Sequence, residues 1–225
     1  MRTRFITAAI GIPVVLAALY VGGPVFHVFM AAYSLGAMFE LCRMLGLTKG
    51  FSALAAGAIV IPYYLNLSLH YLPWDVFLLL YVIITASSFF VFGYTRLTFH
   101  QSAGLIFGGF YIPVLASTLA MVRGMEQGMY LTLAVFLVTW GTDSGAYFIG
   151  MLLGKKKLAP AISPNKSWAG AIGGFFTGII IATAIGIIIK GNVLIFFLWG
   201  CAAAVMGQIG DLCESALKRQ AGVKD

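Results

Sequence analysis

Charge is what this chain has least of. Of its 225 residues, 14 are Lys or Arg and 7 are Asp or Glu, 9% together, while 61% are hydrophobic. Mean hydropathy is +0.98. A soluble domain carries roughly a quarter charged residues, so that class is excluded. Histidine and cysteine are scarce as well, three of each. His27, His70 and His100 lie in three separate regions with no HxxxH spacing, and Cys42, Cys201 and Cys213 form no CxxC. This argues against a zinc site and against a disulfide framework. No histidine pairs with a candidate serine nucleophile, which argues against acyl hydrolysis. Long linkers, low-complexity tracts and extramembrane domains are also missing.

What is there is a series of apolar runs near the ~20-residue length that spans a bilayer. Eight can be counted, roughly 5–22, 24–46, 51–69, 74–93, 103–122, 129–153, 168–189 and 192–210. Backbone groups in lipid must be satisfied within their own segment, which favours helices, and continuous runs do not suit a barrel. The expected fold class is therefore all-α, a polytopic membrane bundle. It forms one transmembrane domain, with helices one to five in 1–128 and the chemistry-bearing helices in 129–225. Arg2 and Arg4 before the first run resemble a signal peptide, but the run is long for an h-region and no clear cleavage site follows. A retained first helix is the reading adopted.

The basic residues sort by side. With the N-terminus inside, 12 of the 14 fall on the cytoplasmic face and only Arg123 and Lys190 fall outside. That is the positive-inside pattern. It explains the net charge of +7 without nucleic acid, and such a surface would attract anionic lipid.

Polar groups inside apolar runs are costly and mark sites. Asp143 sits within the sixth run, with Thr139 and Tyr147 four residues to either side on the same face. A helix-to-helix hydrogen bond or a protonated carboxyl would account for it, as would a metal or phosphate site open to the cytoplasm. Glu40 and Arg43 read as an intrahelical ion pair. The segment Lys155-Lys-Lys157 reads as an anchor, and Ser163-Pro-Asn-Lys-Ser167 leads into the seventh run. Ser163 or Asn165 is expected to cap that helix, and a helix N-terminus beside Lys166 suits an anion. Gly150-x-x-x-Gly154-Lys155 has the wrong spacing for a P-loop, and Lys156 stands where Ser or Thr is needed. Gly170, Gly174 and Gly178, Gly141 and Gly145, and Gly104 and Gly108 form small-x-x-x-small steps. They read as close helix packing, with a homodimer left open. Packing helix six on seven would bring Asp143 near the Ser163–Ser167 loop. After the eighth run, Asp211, Ser215, Lys218 and Arg219 share one polar stripe if the helix continues, and Gly222 is placed to end it.

Aspartates, lysines, an arginine and hydroxyls near one interface suit phosphoryl-type transfer, in which carboxylates hold Mg²⁺ and cations neutralise phosphate. The end of the sequence then resembles a known family. Ser215, Leu217, Lys218, Arg219, Lys224 and Asp225 match the Ser-x-apolar-Lys-Arg-x4-Lys-Asp motif of phosphatidate cytidylyltransferases, also called CDP-diacylglycerol synthases. Gly210-Asp-Leu-x-Glu214, Gly141-Thr-Asp-Ser-Gly-Ala-Tyr147, Lys157-Leu-Ala-Pro160 and Ser163-Pro-x-Lys166 are similar to the same family. Two departures stand out: Ala169, where relatives usually carry Glu or Gln, and Ser167 in place of a common Thr.

The resemblance implies that CTP and phosphatidate give CDP-diacylglycerol and pyrophosphate, in phospholipid biosynthesis at a membrane. A bacterial inner membrane with a cytoplasmic site is expected. It also implies Mg²⁺ on Asp211 and Asp143, with a second cation open. Asp143, Asp211, Ser215, Lys218 and Arg219 become the expected catalytic set, and Ser163, Asn165, Lys166, Ser167, Lys224 and Asp225 the expected substrate-binding set. It further implies a His-Gly-Gly element, an Asp-Arg-x-Asp element and a ninth helix beyond Asp225, so the chain reads as truncated. A truncated inactive homologue, a transporter with Asp143 in its pathway, and a related membrane transferase acting on a polyprenyl lipid are the rival readings. The second predicts internal repeats, and none is convincing here.

Overall fold

The computed structural model describes residues 2–91 and 93–222. Eight helices carry nearly all of the described chain: α1 (Arg2–Val21), α2 (Gly23–Met44), α3 (Lys49–Leu69), α4 (Trp74–Val91), α5 (Phe99–Arg123), α6 (Gly128–Leu153), α7 (Trp168–Ile188) and α8 (Val193–Gln220). Six of them, α2, α3, α4, α5, α7 and α8, are long and apolar enough to cross a membrane, and α1 contributes a shorter apolar stretch, Ala9–Val21. In α6 the apolar character is diluted by Thr139, Thr142, Asp143 and Ser144. The protein is an all-α polytopic integral membrane protein. A two-stranded hairpin interrupts it, β1 (Lys157–Ala159) pairing antiparallel with β2 (Ser163–Ser167). The sequence reading had expected only a loop there. Two prolines and short strands hide the hairpin, since Pro160 and Pro164 lack the N–H a ladder would use and no apolar alternation develops.

The chain divides into two compact units, Met1–Met129 and Tyr130–Asp225. In the first, α2 packs on α3 and α5, and α4 packs on α5. Phe26, Met38, Cys42, Ile59, Val60 and Leu105 form its buried centre. Lipid offers helices no hydrophobic incentive to associate, so small residues and buried hydroxyls supply the contacts. Tyr63 and Ser117 hydroxyls lie 3.0 Å apart, those of Tyr64 and Ser34 3.1 Å apart, and the Tyr81 hydroxyl reaches the carbonyls of Ile59 at 3.0 Å and Gly109 at 2.8 Å. Gly104 and Gly108 lie against Leu45 and Leu41 of α2. Arg123 Nε donates to Leu19 O at 2.8 Å, satisfying a carbonyl at the end of α1. The helix α5 begins before the apolar run does, because Thr98 and Gln101 form a capping box. The expected Glu40–Arg43 ion pair is absent among the described residues; Arg43 instead donates to Leu47 O at 2.9 Å and secures the end of α2.

In the second unit, α7 fits between α6 and α8 through glycine and alanine. A Cβ on Gly174 would stand 2.6 Å from Thr142 O, one on Gly170 2.6 Å from Ala146 O, and one on Gly200 2.6 Å from Ala182 Cβ. Gly141 and Gly145 of α6 lie against Ile181 and Thr177 of α7. The anticipated α6–α7 packing is present. The helix α8 has 28 residues, about 42 Å at 1.5 Å each, longer than a ~30 Å hydrocarbon layer. Its charged end therefore extends past the apolar part, and the helix closes at Ala221 with Gly222 at φ +72°, as the sequence suggested.

Backbone contact makes Gly174 intolerant of a side chain. Gly174→Ala is expected to lower stability by roughly 1–3 kcal/mol through overpacking. Gly36→Ala, on α2 with nothing within 4 Å of its added methyl, is expected to be neutral or to stabilise slightly. Thermal unfolding midpoints of the two variants in detergent check the contrast.

Candidate active site

Five elements of the second unit converge on one cavity of about 590 Å³. From α6 come Asp143, Ala146, Tyr147, Gly150 and Met151, a single stripe at helical spacing, and Gly154 follows just past its end. The hairpin contributes Lys157, Leu158, Asn165, Lys166 and Ser167, α7 contributes Gly170 and Ala171, and α8 contributes Gln208 and Asp211. That volume lies within the range of small-molecule sites. Glycine recurs along the seam for a steric reason: a Cβ at Gly150 would lie 3.1 Å from Ser167 Oγ and one at Gly170 3.2 Å from the same atom. The end of α6 and the start of α7 thus meet at Ser167.

Ser167, not Ser163 or Asn165, is the N-cap of α7. Its Oγ accepts from Gly170 N at 3.2 Å. The correction follows from the hairpin: Ser163 and Asn165 are strand residues, Ser163 opposite Ala159, and extended backbone persists up to Ser167. Gly170 and Ala171 of the first turn of α7 border the cavity, but the Gly170 amide is already taken by Ser167 Oγ and the Trp168 amide by Lys156 O.

The charges cluster closely. Lys166 Nζ lies 2.7 Å from Asp211 Oδ2. No hydrogen bond is directed along that contact, and the buried ammonium nitrogen has none elsewhere among the described residues. The pair is held by Coulomb attraction, which does not depend on the angle. Asp143 lies within electrostatic range of both Asp211 and Lys166. Two carboxylates and one ammonium therefore face one space.

The remaining expected residues sort as follows. Asn165 borders the cavity, while Ser163, Ser215, Lys218 and Arg219 do not. Ser215 follows Asp211 by one turn on α8. Lys218 Nζ lies 2.8 Å from Glu214 Oε1, and Arg219 Nε donates to Ile162 O at 3.5 Å, linking α8 to the hairpin turn. Lys224 and Asp225 lie outside the described residues. Thr139 shares the Asp143 face but turns its hydroxyl back to Val135 O at 2.8 Å. Sequence reasoning missed Gln208, whose Nε2 donates to Ala171 O at 3.1 Å and ties α8 to the start of α7. Its position three residues before Asp211, on the same helix face, was the available signal.

Among the described residues no three His, Cys, Asp or Glu side chains gather as a metal cage. Mg²⁺ does not need one. It keeps several waters and is bound by one or two carboxylates plus substrate phosphates. Asp143 and Asp211, both oxygen donors on one cavity, fit that pattern.

Comparison with known proteins decides the family. The model of the cytidylyltransferase family matches residues 2–225. The chain belongs to that family. It is 35% identical over 236 residues to the phosphatidate cytidylyltransferase of Staphylococcus aureus (strain COL), covering 100% of this chain and 88% of that protein. It is 33% identical over 237 residues to the protein of the same name from Staphylococcus haemolyticus (strain JCSC1435), with the same coverage. The Haemophilus influenzae (strain ATCC 51907 / DSM 11121 / KW20 / Rd) phosphatidate cytidylyltransferase is 44% identical over 106 residues, covering 44% of this chain and 36% of that protein.

The cap assignment is testable in this cytidylyltransferase without any substrate. Ser167→Ala is expected to cost about 1 kcal/mol, the usual loss of a capping side chain, whereas Ser163→Ala should cost less than half as much. Equal shifts in the detergent unfolding midpoint of the two variants would contradict Ser167 as the cap.

Proposed function

We propose that this protein transfers a cytidylyl group from CTP to phosphatidate, giving CDP-diacylglycerol and pyrophosphate. A phosphate oxygen of phosphatidate attacks the α-phosphorus of CTP, and the bond from that phosphorus to the bridging oxygen of the pyrophosphate breaks. The observation that carries the reading is the meeting of Asp143, Lys166 and Asp211 at one cavity in a chain matched along residues 2–225 by the cytidylyltransferase family.

The attacking oxygen is already anionic, so the scarcity of histidine is no obstacle. The difficulty is repulsion between a lipid phosphate and a triphosphate, and cations reduce it. Asp143 and Asp211 would hold Mg²⁺, which supplies charge neutralisation of the phosphates when bound. Lys166 receives phosphate oxygens. Lys157 adds a second ammonium at the cavity edge. Ser215, Lys218 and Arg219 serve an entering lipid or nucleotide phosphate from the end of α8, and the same role is assigned to Lys224 on the motif alone. The Tyr147 and Met151 side of α6 offers apolar surface to the acyl chains. The bias of basic residues supports a cytoplasmic site in a bacterial inner membrane.

Label from CTP should pass into chloroform-extractable lipid when phosphatidate and Mg²⁺ are supplied. Asp211→Asn is expected to slow this on the order of a hundredfold or more, since a metal's contribution is several kcal/mol. A near-wild-type rate for Asp211→Asn at saturating Mg²⁺ would remove the metal role. Transfer to a polyprenyl phosphate and not to phosphatidate would remove the lipid assignment.

A further inference from the structure

The place beside Asp211 Oδ2 is taken by a cation of the protein itself. Lys166 Nζ lies 2.7 Å away, at the distance where a metal-bound water would stand and about 0.6 Å beyond a direct Mg²⁺–oxygen contact. The Lys166 side chain is 23% exposed and that of Asp211 is 51% exposed. The ammonium is thus the more enclosed partner, and the carboxylate can be approached from the cavity. The ammonium makes no directed hydrogen bond among the described residues, so little geometry holds it there beyond charge. Asp143 is within electrostatic range of both partners. Lys157 lines the same cavity, so two carboxylates and two ammonium groups share it, and only Lys166 is paired with Asp211.

We infer that Lys166 is a built-in competitor for the divalent cation at Asp211, released to phosphate only when that cation binds. This rests on the reading that Asp143 and Asp211 hold the cation. A divalent ion on Oδ2 and an ammonium on the same oxygen repel each other strongly at such separations. Binding of the ion therefore expels Lys166. Lys166, on β2 one residue before the cap of α7, already lines this cavity and needs no backbone movement to meet a phosphate there. The nucleotide brings three phosphates to the reaction and the lipid one, and the proposal assigns Lys166 to the nucleotide's. Metal and nucleotide binding are then coupled: each lowers the cost of the other by settling where Lys166 stands. The same pair offsets the repulsion between the two carboxylates and opposes a metal on Asp211 until phosphate draws Lys166 away.

The test reads metal binding alone. Mn²⁺ is titrated into the purified full chain in detergent, without nucleotide or lipid, and free Mn²⁺ is followed by its paramagnetic resonance signal. Lys166→Met is expected to tighten Mn²⁺ binding roughly tenfold, the lower end of what one nearby opposite charge does to a carboxylate's affinity for a proton. Its cytidylyl transfer should fall at the same time. Lys166→Arg, which keeps the charge, should stay near wild type in Mn²⁺ affinity. Lys157→Met, which removes a cavity lysine that forms no ion pair with Asp211, should also stay there. Lys166→Gln repeats the measurement if the methionine variant does not fold, as judged by size-exclusion profile and unfolding midpoint. Asp211-dependent Mn²⁺ binding that is unchanged or weaker without Lys166 overturns the competition while leaving the metal reading intact. Absence of any Asp211-dependent Mn²⁺ site, in wild type and variants alike, overturns both.

Discussion

The site depends on α6 and α7 being able to touch backbone to backbone. Gly170 and Gly174 approach the carbonyls of Ala146 and Thr142 closely enough that a Cβ would stand 2.6 Å from either oxygen. These two carbonyls bracket Asp143. Any larger residue on α7 would push the helices apart and carry Asp143 away from the strand that holds Lys166. Small residues are how helices approach in lipid, where apolar surface alone gives no preference for a partner. In this unit the same seam that holds the bundle together sets the separation of the charges. Stability and function draw on one set of glycines.

The second constraint is length. An α8 about 42 Å long does not end with its apolar part, and its extra turns carry Asp211 and the charged residues after it. Lys218–Glu214 and Arg219–Ile162 O keep that extension helical and close to the hairpin. The exposed i,i+4 pair contributes only a few tenths of a kcal/mol, so its effect is on placement more than on stability. Gln208 fixes the other side, through a hydrogen bond to the Ala171 carbonyl in the first turn of α7. Asp211 lies between these attachments, and the direction of its carboxylate follows from them.

Much of this was legible in the sequence, for identifiable reasons. Helices announced themselves because lipid demands uninterrupted apolar runs of a set length. The α6–α7 contact announced itself because glycine at every fourth residue has little other purpose in a membrane helix. Asp143 stood out because a carboxyl there is costly. The hairpin did not announce itself. Its strands are three and five residues long, one contains Pro164, and the pairing is irregular between Lys157 and Ala159. Because the hairpin was missed, the cap was misplaced, since Ser163, Asn165 and Ser167 are equivalent by composition and only the extent of β2 selects the last. Glu40 and Arg43 show the limit of spacing rules. Three residues apart allows a pair, but the free carbonyl of Leu47 at the end of α2 offered the guanidinium a better acceptor. The Lys166–Asp211 contact joins residues 45 positions apart, and no local pattern carries it.

Scarcity of charge finally explains why so few groups suffice. In water the electrostatics of two carboxylates and a lysine would be small, since unit charges 4 Å apart interact by about 1 kcal/mol there and several times that near a protein surface. At the end of a membrane bundle, with apolar helices on several sides, each charge is screened less and counts for more. A chain with 21 ionisable Lys, Arg, Asp and Glu side chains in 225 residues has few others nearby to dilute the field at this cavity.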